Sequence, residues 1–191
     1  VAVVGLLEER SFHTTQWFKE DGDLVGLIGL TMEEFGGSEY LNIVCDRVEG
    51  QPPHLDLRLA KSVNRLCLEL IRNGLLTSAH DCSEGGLAVA IAESCISHPL
   101  APKGATLNID STLRNDAVFF GESQSRILIS FSAKDRLAVE RVAEVMEVPF
   151  AVIGKVGGSS LIVNINGKEF IRKDTSHLKK LWFEALEAYV G

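Results

Sequence analysis

The sequence predicts a three-layer α/β/α domain built on a mixed β-sheet, and three observations predict it. After Arg126 the pattern runs strand, helix, strand, strand, helix. Before it, a short apolar run ending at Ala79 passes through a glycine-bearing turn into a helix of small apolar residues, the strand-to-helix step of a layered α/β domain. Finally, 191 residues with 46% hydrophobic and 24% charged side chains suffice for one packed core, so residues 1–191 read as a single domain.

Taken in order, Val1 to Leu7 (VAVVGLL) reads as a strand and Thr14 to Phe18 as a second extended piece. Asp21-Gly22-Asp23 signals a turn, and LVGLIGL after it reads as a strand apolar on both faces. Gly36-Gly37 loosens the backbone, and Ser38 is placed to cap a short helix from Glu39. Beyond Pro52-Pro53, Asp56 starts a long helix in which Leu59, Val63, Leu66 and Leu70 recur at helical spacing and which Asn73-Gly74 ends. Leu75 to Ala79 is the predicted strand feeding the central turn. In the helix after Gly86, Leu87, Ile91 and Cys95 form one stripe, while Ala88, Ala90 and Ala92 permit close packing on other sides.

The second half begins with a short strand, Thr106 to Ile109, and a short helix or turn, Asn115 to Phe120. RILISF is a strand, and Ala133 to Met146 an amphipathic helix with Leu137, Val139, Val142, Ala143 and Met146 as its apolar side. FAVIGKV and LIVNI are strands joined by a Gly157-Gly158 turn and expected to pair. Asn166-Gly167 is a strong hairpin signal, and His177 to Tyr189 closes the chain as a helix with Leu178, Leu181, Trp182, Leu186 and Tyr189 available to pack.

Composition excludes several functions. A formal net charge of −7 argues against a nucleic-acid surface. No apolar run approaches a membrane span, and no signal-peptide pattern opens the chain. The four cysteines lack C-x-x-C spacing, which points to reduced thiols in the cytoplasm rather than zinc or disulfides. Starting at Val1 inside an apolar run, without Met, the chain reads as a piece of something longer.

Chemistry concentrates in AHDCSEGGLAVAIAES, residues 79–94. His80, Asp81, Cys82, Ser83, Glu84, Gly85 and Gly86 occupy a strand-to-helix turn where free N–H groups and the helix dipole favour phosphate. Asp81 and Glu84 oppose a bare anion and suit a metal-bridged phosphate; plain capping by Asp81 or Ser83 fits the same residues. Cys82, two residues from His80, has the geometry of a thiol nucleophile but also the character of a small buried hydrophobe. Glu122-Ser123-Gln124, just before a strand, offers an acid, a hydroxyl and an amide to a polar substrate, and equally composes a polar turn. GKVGGSS is not a phosphate loop, because its Lys precedes the glycines and a strand follows.

Together GGSEY (36–40), HDCSEGGLAVAIAES (80–94) and FGESQSRILIS (120–130), with VAVVGLLE and GQPPHLDL in order, resemble the C-terminal domain of the phosphoribosylformylglycinamidine synthase family, within the AIR synthetase-related superfamily. The resemblance implies the AIR synthetase C-terminal domain fold. It also implies a part in an ATP-dependent ligase of purine biosynthesis, in which ATP activates the formyl amide oxygen of formylglycinamide ribonucleotide and glutamine-derived ammonia displaces phosphate to give the amidine. It implies Mg2+ and ATP as cofactors, and as partners the remaining synthetase domains, a glutaminase component and a small ribonucleotide substrate. Asp81 matches a magnesium ligand. Glu122, Ser123 and Gln124 match substrate contacts, and His80, Ser83, Gly85, Gly86, Gly37 and Ser38, from the same motifs, are expected to bind substrate with them. No catalytic residue falls within this chain, so the isolated domain is expected to be inactive. The alternatives are a non-catalytic structural module of the superfamily and a related kinase or synthetase.

Overall fold

The computed structural model describes the backbone of residues 4–190 and the side chains of residues 4–185. The sheet is assembled from β1 (Leu24–Ile28), β2 (Ser78–Asp81), β3 (Ala105–Ile109), β4 (Ile127–Phe131), β5 (Phe150–Val156), β6 (Ser160–Ile165) and β7 (Lys168–Asp174). Its spatial order is β2-β4-β1-β5-β3-β6-β7. The β3–β6 pair is parallel and every other pair antiparallel, so the sheet is mixed.

Alternation along the strands divides the core between two faces. In β4, Leu128 faces one cluster while Ile129 and Phe131 face the other. In β1, Val25 and Ile28 separate in the same way, as expected of a strand apolar on both sides. Helices α3 (Gly86–Ile96), α4 (Asn115–Phe120) and α6 (Thr175–Val190) cover the first face. Helices α2 (Leu57–Arg72) and α5 (Arg136–Val145) cover the second. The predicted three layers are present.

Helix α2 begins where expected: the Asp56 carboxylate accepts hydrogen bonds from the Arg58 and Leu59 amides at 2.8 and 3.1 Å. Val63, Leu66 and Leu70 are fully buried and Leu59 partly so. Leu66→Ala is expected to lower the unfolding free energy by about 2–5 kcal/mol, read from urea denaturation midpoints at unchanged slope. A change within 0.5 kcal/mol (roughly the scale of a surface substitution) would contradict that packing. The short helix α1 (Glu39–Cys45) is capped by Ser38, whose hydroxyl accepts from the Leu41 amide at 3.3 Å.

Four expectations need correction. Residues 4–7 are not in a strand, and residues 1–3 of that expected element lie outside the described residues. The strand after α2 is displaced from Leu75–Ala79 to Ser78–Asp81. Leu75 is held in the exit turn of α2, its amide donating to the Leu70 carbonyl, and pairing with β4 starts only at Ser78↔Ser130. LIVNI does not pair back on FAVIGKV, because β3 lies between them. Leu137 is 78% exposed, since it sits about 200° around the helix from Val139, which with Ala143 defines the buried stripe.

Other expectations are met in part. Of Thr14 to Phe18, Thr15 alone bridges to Ser78. In α6, Leu178 packs on the core while Leu181 and Trp182 remain more than half exposed; the side chains of Leu186 and Tyr189 lie outside the described residues. Asn166-Gly167 turns β6 into β7 as expected, both residues having positive φ.

Candidate functional site

Pairing of β2 with β4 sets His80 opposite Leu128 and Asp81 opposite Ile127, and the Cys82 amide donates to the Arg126 carbonyl at 3.0 Å. That register brings the two chemistry-bearing segments together. The turn of residues 82–85 lies against residues 121–126, and between them opens a polar recess of about 400 Å³. Asp81, Ser83, Glu84, Gln124 and Arg126 line it, with Asn64 from α2. Across the Ser83–Gly85 backbone lies a second, more apolar recess of about 460 Å³, walled by Tyr40, Val89, Phe120 and Trp182.

Glycines set the approach. Gly85 and Gly86 have φ of 74° and 64°, and a Cβ on Gly86 would fall 2.5 Å from the Gly121 carbonyl oxygen and 2.7 Å from that of Phe119. Only a residue without a side chain lets α3 start this close to the end of α4. The N-cap position of α3 is Gly85, with no side-chain cap from its own segment. Neither Asp81 nor Ser83 caps the helix. Instead one carboxylate oxygen of Glu122 accepts from the Gly85 amide at 2.9 Å and from the Glu39 amide at 3.0 Å. A single anion thus serves the starts of both α3 and α1.

The other expected site residues divide between recess and scaffold. Ser123 is buried: its hydroxyl accepts from the Met32 amide at 3.0 Å and is 3.3 Å from the Met32 carbonyl. Gln124 is exposed at the recess, its amide nitrogen 3.4 Å from the Glu122 carbonyl. Ser38 is buried at its cap, and Gly37 holds a φ of 71° in open space; neither lines the polar recess. Gly86 is buried under Gly121. His80 turns away from the polar recess, its Nε2 2.8 Å from Glu93 Oε2 and its Nδ1 3.4 Å from Asp81 Oδ1. Asp81 has a largely exposed carboxylate, and a hydrogen bond from the Ser83 hydroxyl, the leading cause, holds its pKa below the usual carboxylate value.

Burial disposes of the thiol nucleophile. Cys82 is buried, and desolvation pushes its pKa up to about 11, so the thiolate is scarce at neutral pH. The Gly157-Gly158 segment is a turn between strands and not a phosphate loop. Among the described residues no group of three or more His, Cys, Asp or Glu side chains is placed to hold a metal.

Sequence reasoning missed Arg126, Asn64 and Glu93. Arg126 is 1% exposed, and its guanidinium donates to the Ser123 and Gly121 carbonyls and to the Thr31 hydroxyl. The available signal was a lone cation opening an otherwise apolar strand. Glu93 offered the same kind of signal, the one charge in an otherwise small and apolar helix, whereas Asn64 carried none, lying on a helix at a polar position ordinary for a surface.

Known proteins agree with this architecture. The model of the family described as AIR synthase related protein, C-terminal domain, matches residues 20–165. A phosphoribosylformylglycinamidine synthase subunit PurL of Moorella thermoacetica is 44% identical over 97% of this chain and 25% of its own length. Its counterpart in Alkaliphilus metalliredigens is 40% identical over 98% of this chain, again 25% of the relative. The chain therefore spans about a quarter of the length of the curated relatives it matches. Among solved structures, Thermotoga maritima PurL complexed with FGAR superposes with a TM-score of 0.76 at 17% identity, covering 89% of this chain and 30% of that one, a likeness of fold. Mixed sheet, two helical layers and the extent of the match agree: the chain belongs to the AIR synthase related protein, C-terminal domain, family.

Proposed function

We propose that this chain is a domain of a phosphoribosylformylglycinamidine synthase, contributing a polar wall to a site for phosphate-bearing ligands in an ATP-dependent carbon–nitrogen ligase. The observation that carries this reading is the recess itself, where Asp81 and Ser83 of the strand-to-helix turn meet Gln124 of a second segment and all three keep groups facing solvent. The 44% identity to a synthase subunit supports it, as do neighbouring structures described as complexes with ATP and FGAR.

The donor set fits magnesium. Asp81 is an exposed carboxylate that accepts a hydrogen bond from Ser83, and the other side chains nearby offer oxygen ligands suited to a hard cation. One carboxylate is enough where a substrate's phosphates and water complete the shell. When bound, the ion would neutralise phosphate charge. Asp81 would hold it, and Gln124 and Asn64 would offer amides to the polar part of the ligand. The wider setting proposed is cytoplasmic, with the rest of the subunit and a glutaminase component as partners; the four free cysteines support a reducing compartment.

A second reading, a structural module that binds nothing, is favoured by one observation: the Glu122 carboxylate and Ser123 hydroxyl are engaged within the fold. One assay separates the two. The chain is incubated with ATP, Mg2+, formylglycinamide ribonucleotide and ammonia, with and without the remaining domains of the subunit, and ADP and amidine are measured. No turnover is expected alone and restored turnover in trans, reduced on the order of 10-fold or more by Asp81→Asn. Full restoration by the Asp81→Asn variant supports the structural module, and turnover by the isolated chain overturns both readings.

A further inference from the structure

Ser83, Asp81, His80 and Glu93 form one connected chain of polar contacts. The Ser83 hydroxyl donates to one Asp81 oxygen, His80 Nδ1 stands 3.4 Å from the other, and His80 Nε2 is 2.8 Å from Glu93 Oε2. The imidazole side chain is 13% exposed and that of Glu93 20%, whereas Asp81 is 72% exposed at the far end. A carboxylate only accepts, so each ring nitrogen supplies the hydrogen for its own contact, Nε2 for Glu93 and Nδ1 for Asp81, and the ring cannot flip without breaking both. Glu93 lies well within α3, a helix whose Leu87, Ile91 and Cys95 are locked in the core. The rigid end of the chain is therefore the helix, and the exposed end is the proposed metal-binding carboxylate.

We infer that His80 and Glu93 are positioning residues: they fix the orientation of Asp81, and with it the Ser83–Gly86 turn, instead of touching substrate. The inference rests on the reading of Asp81 as a magnesium ligand. It reverses the expectation that His80 binds ligand directly, because both ring nitrogens already face carboxylates and the ring is largely covered. A ligand carboxylate with two supported oxygens has less freedom to lose on binding a cation, and removing such outer contacts characteristically weakens metal affinity 10–100-fold. Glu84, exposed on the same turn, has no side-chain partner of this kind among the described residues.

The test uses the 191-residue chain and Mn2+ as probe. Affinity is read from paramagnetic broadening of the amides of residues 81–86, and order in the turn from amide exchange at residues 83–86. Glu93→Leu and His80→Gln are expected to raise the Mn2+ Kd about 10-fold and to speed exchange in the turn. Glu93→Gln keeps an acceptor for Nε2 and is expected to stay within about twofold of wild type in both readouts. Asp81→Asn should abolish the broadening while leaving the exchange effect of Glu93→Leu in place. Equal Mn2+ affinity and exchange in Glu93→Leu and wild type would overturn the inference, as would Glu93→Gln behaving like Glu93→Leu. If Glu93→Leu does not fold, His80→Gln and Glu93→Gln decide by the same criteria. Wild type showing no broadening at residues 81–86 would remove the metal reading of Asp81; the exchange data would still decide whether His80 and Glu93 order the turn.

Discussion

Gly86→Val is expected to destabilise the domain by roughly 2–6 kcal/mol, the sum of backbone strain at a left-handed position and forced overpacking. Both terms are specific to this site. The φ of 64° lies where a β-branched residue is a genuine outlier, and a Cβ there would meet the Gly121 and Phe119 carbonyl oxygens at 2.5 and 2.7 Å. Neither is the mobile end of a side chain, so α3 and the end of α4 would have to separate. That movement would carry Glu122 away from the Gly85 amide and open the recess. Gly37→Ala is the control: its φ is 71° but nothing lies within 4 Å of the added Cβ, so the cost should be confined to the backbone term, about 1–2 kcal/mol. Gly85→Val should fall between, since its Cβ would meet Val89 Cγ2 at 2.4 Å, a side chain within α3 itself. Denaturant titration ranks the three, and equal effects of Gly86→Val and Gly37→Ala would refute the account of close approach.

What the sequence disclosed follows from the range of the interactions involved. Elements fixed by local periodicity or caps were legible: α2 from Asp56 and its Leu59–Leu70 spacing, the α1 cap at Ser38, and the β6–β7 hairpin from Asn166-Gly167. The displaced β2 was not, because Leu75 and Leu76 are apolar enough for a strand while the register depends on β4, some fifty residues away. The insertion of β3 between β5 and β6 is a long-range choice that no turn residue encodes.

The site shows the same division. The two motifs could be singled out because both sit at junctions with regular structure. How their polar groups are satisfied could not be foreseen. Glu122 has the same side chain whether it reads a substrate or joins two helix starts, and its three-dimensional neighbours decide between them. The joining of Glu93 to His80 across thirteen residues likewise depends on where α3 leaves the turn.

Arg126→Met is expected to cost about 3–5 kcal/mol, the scale of breaking a buried charged network by removing one partner. Methionine preserves much of the side-chain length but leaves the Ser123 and Gly121 carbonyls and the Thr31 hydroxyl without their donor. Burial pushes the guanidinium pKa down from its usual value, while the nearby Cys82, Glu34 and Glu122 act in the opposite direction. The carboxylates gain from the arrangement in turn. Glu34 Oε2 is buried without a hydrogen-bond partner, and the neighbouring cation compensates its charge. Removing Arg126 therefore imposes two penalties, the unmet acceptors and an uncompensated carboxylate. The second can be isolated: Glu34→Gln removes the charge, so Arg126→Met should cost less in the Glu34→Gln background, by about 1 kcal/mol or more. Arg126→Lys should still cost about 2 kcal/mol, because one ammonium cannot reproduce the planar fork that reaches three acceptors. Strict additivity of Arg126→Met and Glu34→Gln in denaturant titrations would show that the cation supports the 121–126 segment through its hydrogen bonds alone.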